Sequence, residues 1–487
     1  MLMNIVETLV GWLWGMPLIV TILGVGVYLT IATGFFQFTN IKHIYRETLG
    51  KMFKKGEKEA SEEGVLTPFE AISVAVGTTV GVGNVAGVAT AIAVGGPGAV
   101  FWMWVSGIVG QVIKMAEIAL AVHYREGDEK GDPYGGPTYY IKKGIGEEKN
   151  MKKLAKVFNF LFIIGFSLSF FIAMDNYTVS EAISSTFNIN QIAVSVVYVI
   201  ILYIFIGGGI PSLGKIANKV VPFMCLFYIL SGLFVIFKNI SLVPETFKAI
   251  FYGAFNGTAA LGGFTGAAFA QVIQTGMSRA VFSNEAGWGT SAMIHSTSKT
   301  DHPVRQGVMG IFEVFIDTII ICSITALVVI ISGQWTTGES GAALALSAFS
   351  TEIGSVGRLI LTAGIFLFGI TTSSGLYAQL EIVLRYIVGN ESKNKDRILK
   401  AYKWLYPLPP FLLVVYSVLK GYPGTSVWLF ADLTTALPIF INVITLLILS
   451  PKFFALLKDY KAKYMNKGNV DPNFKVYYHD NSKEKVS

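Results

Sequence analysis

The stretch Gly77-Thr78-Thr79-Val80-Gly81-Val82-Gly83-Asn84 sets glycines and small polar residues in the middle of an apolar run long enough to cross a membrane. A second such cluster, Ser283-Asn284-Glu285-Ala286-Gly287-Trp288-Gly289, interrupts another run further along. An unbroken helix satisfies its own backbone hydrogen bonds, but a glycine-rich break in hydrocarbon leaves N–H and C=O groups that an ion or a bound solute must satisfy. Paired breaks in two halves of one chain point to a binding site near the membrane midplane.

The rest of the chain fits that setting. Of its 487 residues 53% are hydrophobic and 14% charged, and the mean hydropathy is +0.57, which describes an integral membrane protein. A span takes roughly 20 apolar residues. About eleven stretches qualify: Val10–Thr33, Ala71–Val94, Ala99–Tyr124, Leu154–Ser180, Ile192–Ile206, Val220–Phe237, Gly263–His295 (broken), Gly307–Ser332, Leu359–Tyr386, Leu405–Leu419 and Val427–Leu449. The first lacks a basic flank and a small-residue cleavage site, so it is expected to be retained.

Basic residues fix the expected orientation. Lys42, Arg46, Lys51, Lys54, Lys55 and Lys58 follow the first span, and Lys130, Lys142, Lys143, Lys149, Lys152 and Lys153 follow the third. Lys215, Lys219, Lys299, Arg305, Lys393, Lys395, Arg397 and the tail from Lys452 to Lys485 fall on the same side if the spans alternate. Opposite loops carry only Lys248. The positive-inside rule then puts the N-terminus outside and the C-terminus in the cytoplasm of a multi-pass cell-membrane protein. The net charge of +7 follows from this topology and the lipid bilayer it faces, so no nucleic-acid partner is expected.

Chemistry of other kinds finds no support. Cys225 and Cys322 lie in apolar runs as buried small hydrophobes, and His43, His123, His295, His302 and His479 are not spaced as metal ligands. Neither a GxSxG elbow nor a GxxxxGK[ST] loop is present, so the chain reads as neither an enzyme nor an ATP-driven pump, and no organic cofactor is expected.

In the first break the glycines let the backbone leave helical geometry, and the resumed helix directs the amides of Val82 and Gly83 toward an anion. Thr78, Thr79 and Asn84 add side-chain oxygens, and the carbonyls of Gly77 and Val80 suit a hard cation such as sodium. The alternative role for these glycines is close helix packing. In the second break Ser283, Asn284 and Glu285 precede Gly287, Trp288 and Gly289. Glu285 is either a functional intramembrane acid or a structural one paired with Arg279. Gln271 and Gln274 either face the cavity or bond neighbouring helices. A third cluster, Gly369-Ile370-Thr371-Thr372-Ser373-Ser374-Gly375, puts four consecutive hydroxyls in an apolar span. The hydroxyls of Thr372 and Ser373 and the Gly369 carbonyl complete a cage of about five oxygens with Gly77 and Val80, which suits sodium; Thr371 is placed with the substrate.

The segments Gly276-Met277-Ser278-Arg279-Ala280-Val281-Phe282-Ser283-Asn284-Glu285-Ala286-Gly287-Trp288-Gly289, Thr300-Asp301-His302-Pro303-Val304-Arg305-Gln306-Gly307 and Gly95-Gly96-Pro97-Gly98-Ala99 are similar to the signatures of the alanine or glycine:cation symporter family. The resemblance runs from Gly11 to Pro451. More distantly, Val80-Gly81-Val82-Gly83-Asn84 and Thr372-Ser373-Ser374 resemble the bacterial leucine transporter. Tyr134-Gly135-Gly136-Pro137-Thr138-Tyr139-Tyr140 resembles the first cytoplasmic loop of amino acid–polyamine transporters.

The resemblance implies an all-α membrane fold of about 11 transmembrane helices: two five-helix inverted repeats plus one extra N-terminal helix, with helices broken at the midplane. The corresponding segments are 1–66 (extra helix and linker), 67–300 and 301–450 (the repeats) and 451–487 (basic tail). It implies a sodium-driven symporter for a small neutral amino acid, alanine or glycine, working by alternating access. The substrate carboxylate meets Val82 and Gly83, and its ammonium meets carbonyls near Thr79 and the second break. A proton-coupled carrier, a channel and a non-transporting amino acid receptor are the alternatives. The sequence departs from the leucine transporter at Thr78, where that protein has asparagine, and at Asn284 and Glu285, where its break is apolar. Asp317 is either an ion ligand or a buried structural acid. Phe170, Phe171, Met174 and Trp288 are candidates for the side-chain pocket.

Overall fold

A computed structural model describes residues 2–52, 65–256, 266–390, 392–422 and 424–478. Lys54, Lys55, Lys58, the start of the seventh expected span at Gly263, His479 and the tail's end at Lys485 lie outside them.

Each of the eleven expected stretches is mainly helical over its described residues, with short interruptions in several of them. The chain begins with α1 (Leu2–Leu13) and α2 (Met16–Ala32). Next come α3 (Pro68–Thr79) and α4 (Ala86–Gly95), the two arms of the first break, and then α5 (Ala99–His123). A short antiparallel hairpin, β1 (Glu126–Gly127) with β2 (Pro133–Tyr134), pairs Glu126 with Tyr134 and leads into α6 (Pro137–Tyr140). Then follow α7 (Lys152–Phe171), α8 (Asp175–Phe187), α9 (Gln191–Ile206), α10 (Gly209–Lys238), α11 (Val243–Asn256) and the arms of the second break, α12 (Gly266–Asn284) and α13 (Thr290–Ser296). The last part consists of α14 (Pro303–Val314), a π-helical stretch (Phe315–Cys322), α15 (Ser323–Ile331), α16 (Gly341–Val388), α17 (Lys395–Leu405), α18 (Leu408–Lys420) and α19 (Gly424–Met465).

Local sequence sets the starts of several helices. Thr67 and Glu70 form a reciprocal capping box ahead of Pro68, Asn190 caps α9 through the Ala193 amide (3.1 Å), and the His302 ring accepts from the Val304 amide (3.1 Å) ahead of Pro303. α16 turns sharply at Ile353 and Gly354, where the glycine takes a φ of 68°.

Among the described residues seven helices are long and apolar enough to cross a membrane, and the bent pair α3–α4, 50° apart, makes an eighth. Of the remaining expected spans, α12–α13 is divided by the second break, and α9 and α18 are continuous but shorter than the bilayer. One departure from the sequence reading concerns Leu154–Ser180, read as continuous: it stops at Phe171 and restarts at Asp175. The centre of the fold is α5, 89% of whose most apolar window is buried. It packs on α12, α13 and α14, while exposed Ile, Leu, Val and Phe side chains cover the outer faces of α7, α9, α10 and α18, as a lipid-facing surface requires.

Candidate functional site

α3 ends at Thr79; Val80 leaves helical geometry (φ −77°, ψ 84°), and Gly81 is extended before the single turn Val82–Asn84. The Asn84 carboxamide accepts the freed Gly81 amide (2.8 Å), which holds the break open from within. A Cβ on Gly81 would stand 2.4 Å from the Thr372 hydroxyl, so the neighbouring helix approaches the backbone itself.

The second break turns on three left-handed residues, Glu285 (φ 55°), Gly287 (φ 91°) and Gly289 (φ 82°). For Glu285 that conformation is strained, and such strain persists only where its surroundings impose it. Those surroundings are the Thr290 hydroxyl, which donates to the Glu285 carboxylate, and the Asn284 carboxamide, which accepts from the Ala286 amide (2.9 Å). Arg279, the sequence-based candidate partner of Glu285, is instead ion-paired with Asp432 on α19 and lies over Trp428.

The two breaks are side by side. A Cβ on Gly83 would come within 3.2 Å of Phe282 and 3.5 Å of the Ser283 backbone. Asp317, fully buried in the π-helical stretch, ties them together: it accepts from Asn84 (2.6 Å), from Ser283 (3.0 and 3.1 Å) and from Thr318 (2.7 Å). Asn284 donates to Thr318 (3.0 Å). A π-bulge widens the helix by one residue per turn and commonly re-aims a side chain at a functional site.

The four hydroxyls of α16 divide by direction. Thr372 reaches the carbonyls of Gly77 (3.3 Å) and Thr78 (3.1 Å) across the helix interface. Ser373 meets the Tyr198 hydroxyl (2.7 Å), which also lies 2.7 Å from the Gly369 carbonyl, and the Ser373 carbonyl accepts from Tyr406. Thr371 bonds back to Leu367 (2.9 Å) and Ser374 to Thr371 (2.9 Å), the usual fate of a hydroxyl on an apolar helix. Thr372 therefore stands at the first break, whereas Gly369 and Ser373 share Tyr198.

A cavity of about 50 Å³ lies where these elements meet. The first break contributes Thr78, Thr79, Gly81, Val82 and Gly83 to its wall; the second contributes Glu285 and Trp288; α16 contributes Thr372. Phe170 and Met174 close one side. The volume holds a ligand of a few heavy atoms, given that one water needs roughly 10–15 Å³ on this measure.

Not every sequence-derived candidate reaches it. Asn84, Ser283 and Asn284 lie behind the wall, on Asp317 and Thr318. The Gly287 carbonyl accepts from Asn442 (2.9 Å), and Thr371 faces the Met224 sulfur (3.5 Å). Gln274 lines a separate cavity of about 360 Å³ with Arg279 and Asp432. Phe171 is 52% exposed, turned outward.

Several wall residues went unread in the sequence: Asp175, Ser169 and Thr435. Asp175-Asn176 inside an apolar run was the available signal, since α8 starts there. A wholly buried charge cluster on α5 also went unread. Lys114 pairs with Glu313 (3.4 Å) and donates to Ser291 (2.8 Å), and His295 joins Glu313 (3.2 Å) and Gln306 (2.6 Å). Asn442 bridges Glu117 (2.5 Å) to the Gly287 carbonyl and accepts from Tyr140 of α6. A lysine and a glutamate three residues apart within a span were the legible sign.

Residues 1–476 match the family described as the sodium:alanine symporter family. The chain is 36% identical to an uncharacterized transporter of Bacillus subtilis, YflA, over 93% of each chain. It is also 36% identical to the sodium/alanine symporter AgcS of Methanococcus maripaludis, over 92% of this chain and 94% of that one. Among solved structures, a manganese transporter of Eremococcus coleocola superposes with a TM-score of 0.48 at 12% identity, over 84% of this chain and 82% of that one.

Proposed function

This chain belongs to the sodium:alanine symporter family, and on that premise we propose that it couples sodium entry to the uptake of a small neutral amino acid, alanine or glycine, by alternating access. One observation carries the reading: a single small cavity is walled at once by the unwound backbone of both breaks and by Thr372 of α16.

The substrate carboxylate is assigned to the amides of Val82 and Gly83, where the resumed helix offers unpaired donors and the positive end of its dipole. The ammonium faces the Thr79 region and the second break, with the Glu285 and Asp175 carboxylates in the cavity wall supplying complementary charge. Phe170, Met174 and Trp288 bound the side-chain end, and a methyl group or a hydrogen fits a space of about 50 Å³. Sodium is assigned to the carbonyls of Gly77, Val80 and Gly369 with the hydroxyls of Thr372 and Ser373. A carbonyl has two lone pairs, so Tyr198 can orient the Gly369 carbonyl while leaving it free to bind the ion. Rocking of one five-helix repeat against the other exposes the site to each side in turn, with the N-terminus outside and the C-terminus in the cytoplasm.

The test is radiolabelled alanine and glycine uptake into proteoliposomes with and without an imposed sodium gradient. Accumulation that requires the gradient supports the reading. Accumulation driven equally by a proton gradient alone would reassign the coupling ion, and specific binding without flux would make the protein a receptor.

A further inference from the structure

α17 is an amphipathic helix lying between the membrane-length α16 and the shorter α18. Ile398, Ala401, Tyr402 and Leu405, at positions i, i+3, i+4 and i+7, form one stripe. That stripe faces an open groove of about 670 Å³ whose far walls are Phe171 of α7 and Leu412 of α18, and whose lining is almost entirely apolar. Phe171, Leu405 and Leu412 are each more than half exposed. On the adjacent flank of the same helix, Arg397, Lys400 and Trp404 recur at i, i+3 and i+7, all exposed. Neither Arg397 nor Lys400 has an ion pair among the described residues, although Lys395 pairs with Glu129 (3.6 Å) and Lys403 donates to the Gly207 carbonyl. Asp396 is the acidic neighbour on the first turn. An exposed tryptophan beside basic residues on an amphipathic helix is the pattern of a segment at the lipid headgroup level.

We propose that this groove is a binding site for one anionic phospholipid, its acyl chain lying along the α17 stripe and its phosphate held by Arg397 and Lys400. The occupant follows from both halves of the site. An open, apolar groove on a membrane-spanning bundle suits an acyl chain, and two cations without an ion pair among the described residues, on the adjacent flank of the same helix, select an anionic headgroup over a zwitterionic one.

The groove also has a route to the interior, and that part of the inference rests on the transport reading above. Phe170 lines both the groove and the central cavity and stacks on Tyr406 (4.4 Å between ring centres). Tyr406 in turn donates to the Ser373 carbonyl. A chain seated in the groove braces this aromatic pair, one residue thick, between lipid and substrate.

The experiment is native mass spectrometry of the purified full-length protein titrated with phosphatidylglycerol or with phosphatidylcholine of the same chain length. Wild type is expected to retain one phosphatidylglycerol more tightly than phosphatidylcholine. Arg397→Ala with Lys400→Ala should weaken phosphatidylglycerol roughly tenfold or more, at about 1 kcal/mol for each basic residue near an anionic surface, leaving phosphatidylcholine unchanged. Ala401→Trp, which fills the groove, should displace both lipids. Equal retention of the two lipids by wild type, or phosphatidylglycerol retention unaffected in the variants, would overturn the site. Lipid retention is read without any transport assay, so failure of the alanine reading leaves this result standing, and the reverse. The brace is tested separately: alanine affinity should rise when phosphatidylglycerol replaces phosphatidylcholine around wild type and not around Ala401→Trp, and no difference in wild type would refute it.

Discussion

At position 372 a hydroxyl crosses from α16 to the carbonyls of Gly77 and Thr78 at the mouth of the first break; at position 374 a hydroxyl of the same size turns back on its own helix. The two make a matched pair for testing the ion assignment. Thr372→Ala removes one of about five oxygens of the proposed cage, and the sodium concentration for half-maximal transport should rise tenfold or more, roughly 1.4 kcal/mol. Ser373→Ala should act in the same direction, and Ser374→Ala should change little. Linkage requires that alanine binding weaken in Thr372→Ala at subsaturating sodium and recover when sodium saturates. The same sodium dependence in wild type and all three variants would return these hydroxyls to helix packing. Glycines of the breaks admit an equally direct test. Leucine at Gly83 meets Phe282 and the Ser283 backbone, and at Gly287 it meets Val443 at 2.8 Å with the backbone at a φ of 91°. Both variants should lose alanine binding while remaining extractable as folded protein; normal uptake by both would place the substrate elsewhere.

Between elements, a buried ion pair is set into the α5–α14 contact, where Gly307 and Gly310 also let the helices approach closely. Lys114 and Glu313 are both wholly buried, so removing one partner strands the other. Glu313→Ala should destabilise the protein by about 3–5 kcal/mol, seen as a lowered unfolding temperature in detergent. The double replacement Lys114→Met, Glu313→Leu removes both charges at similar volume and should recover most of that loss. A double variant as unstable as the single one would show that the pair is not the source. Asp317 joins the breaks in a similar way: its carboxyl group takes hydrogen bonds from Thr318 of the π-helical stretch, from Ser283 of α12 and from Asn84 beside α4, and a buried polar group is held where its partners are. Asp317→Ala should therefore weaken alanine binding even though the side chain lies behind the cavity wall, whereas an unchanged affinity would leave it a local support of the π-helical stretch.

Across the whole molecule the basic loops predict an orientation that labelling can check. Cys225 and Cys322 are both buried, so single introduced cysteines report cleanly. Glu339→Cys, in the exposed turn before α16, should react with an impermeant thiol reagent from outside intact cells, and Val470→Cys, beyond α19, only after permeabilisation. The opposite pattern would invert the topology and with it the direction of the proposed sodium-driven uptake.

Composition and apolar run length were enough to determine a multi-spanning helical membrane protein, because hydrocarbon leaves the backbone few other ways to satisfy its hydrogen bonds. The breaks were legible for a related reason: glycine clusters and polar side chains are costly at that depth unless they serve a site. What single-sequence reading lacked was distance. Nothing in the spacing of Gly83, Ser283 and Asp317 says that they converge, since they come from three segments brought together only by packing. Tertiary structure likewise sent Arg279 to Asp432 rather than to Glu285, and it drew Gly369 and Ser373 to Tyr198. It opened the fourth span at Asp175 and set that acid in the cavity wall. The sequence by itself determined which residues are too polar for the membrane unless partnered. Only the folded bundle decided their partners, because in a low-dielectric interior a buried polar group pairs with whatever the packing of other helices places within hydrogen-bond reach.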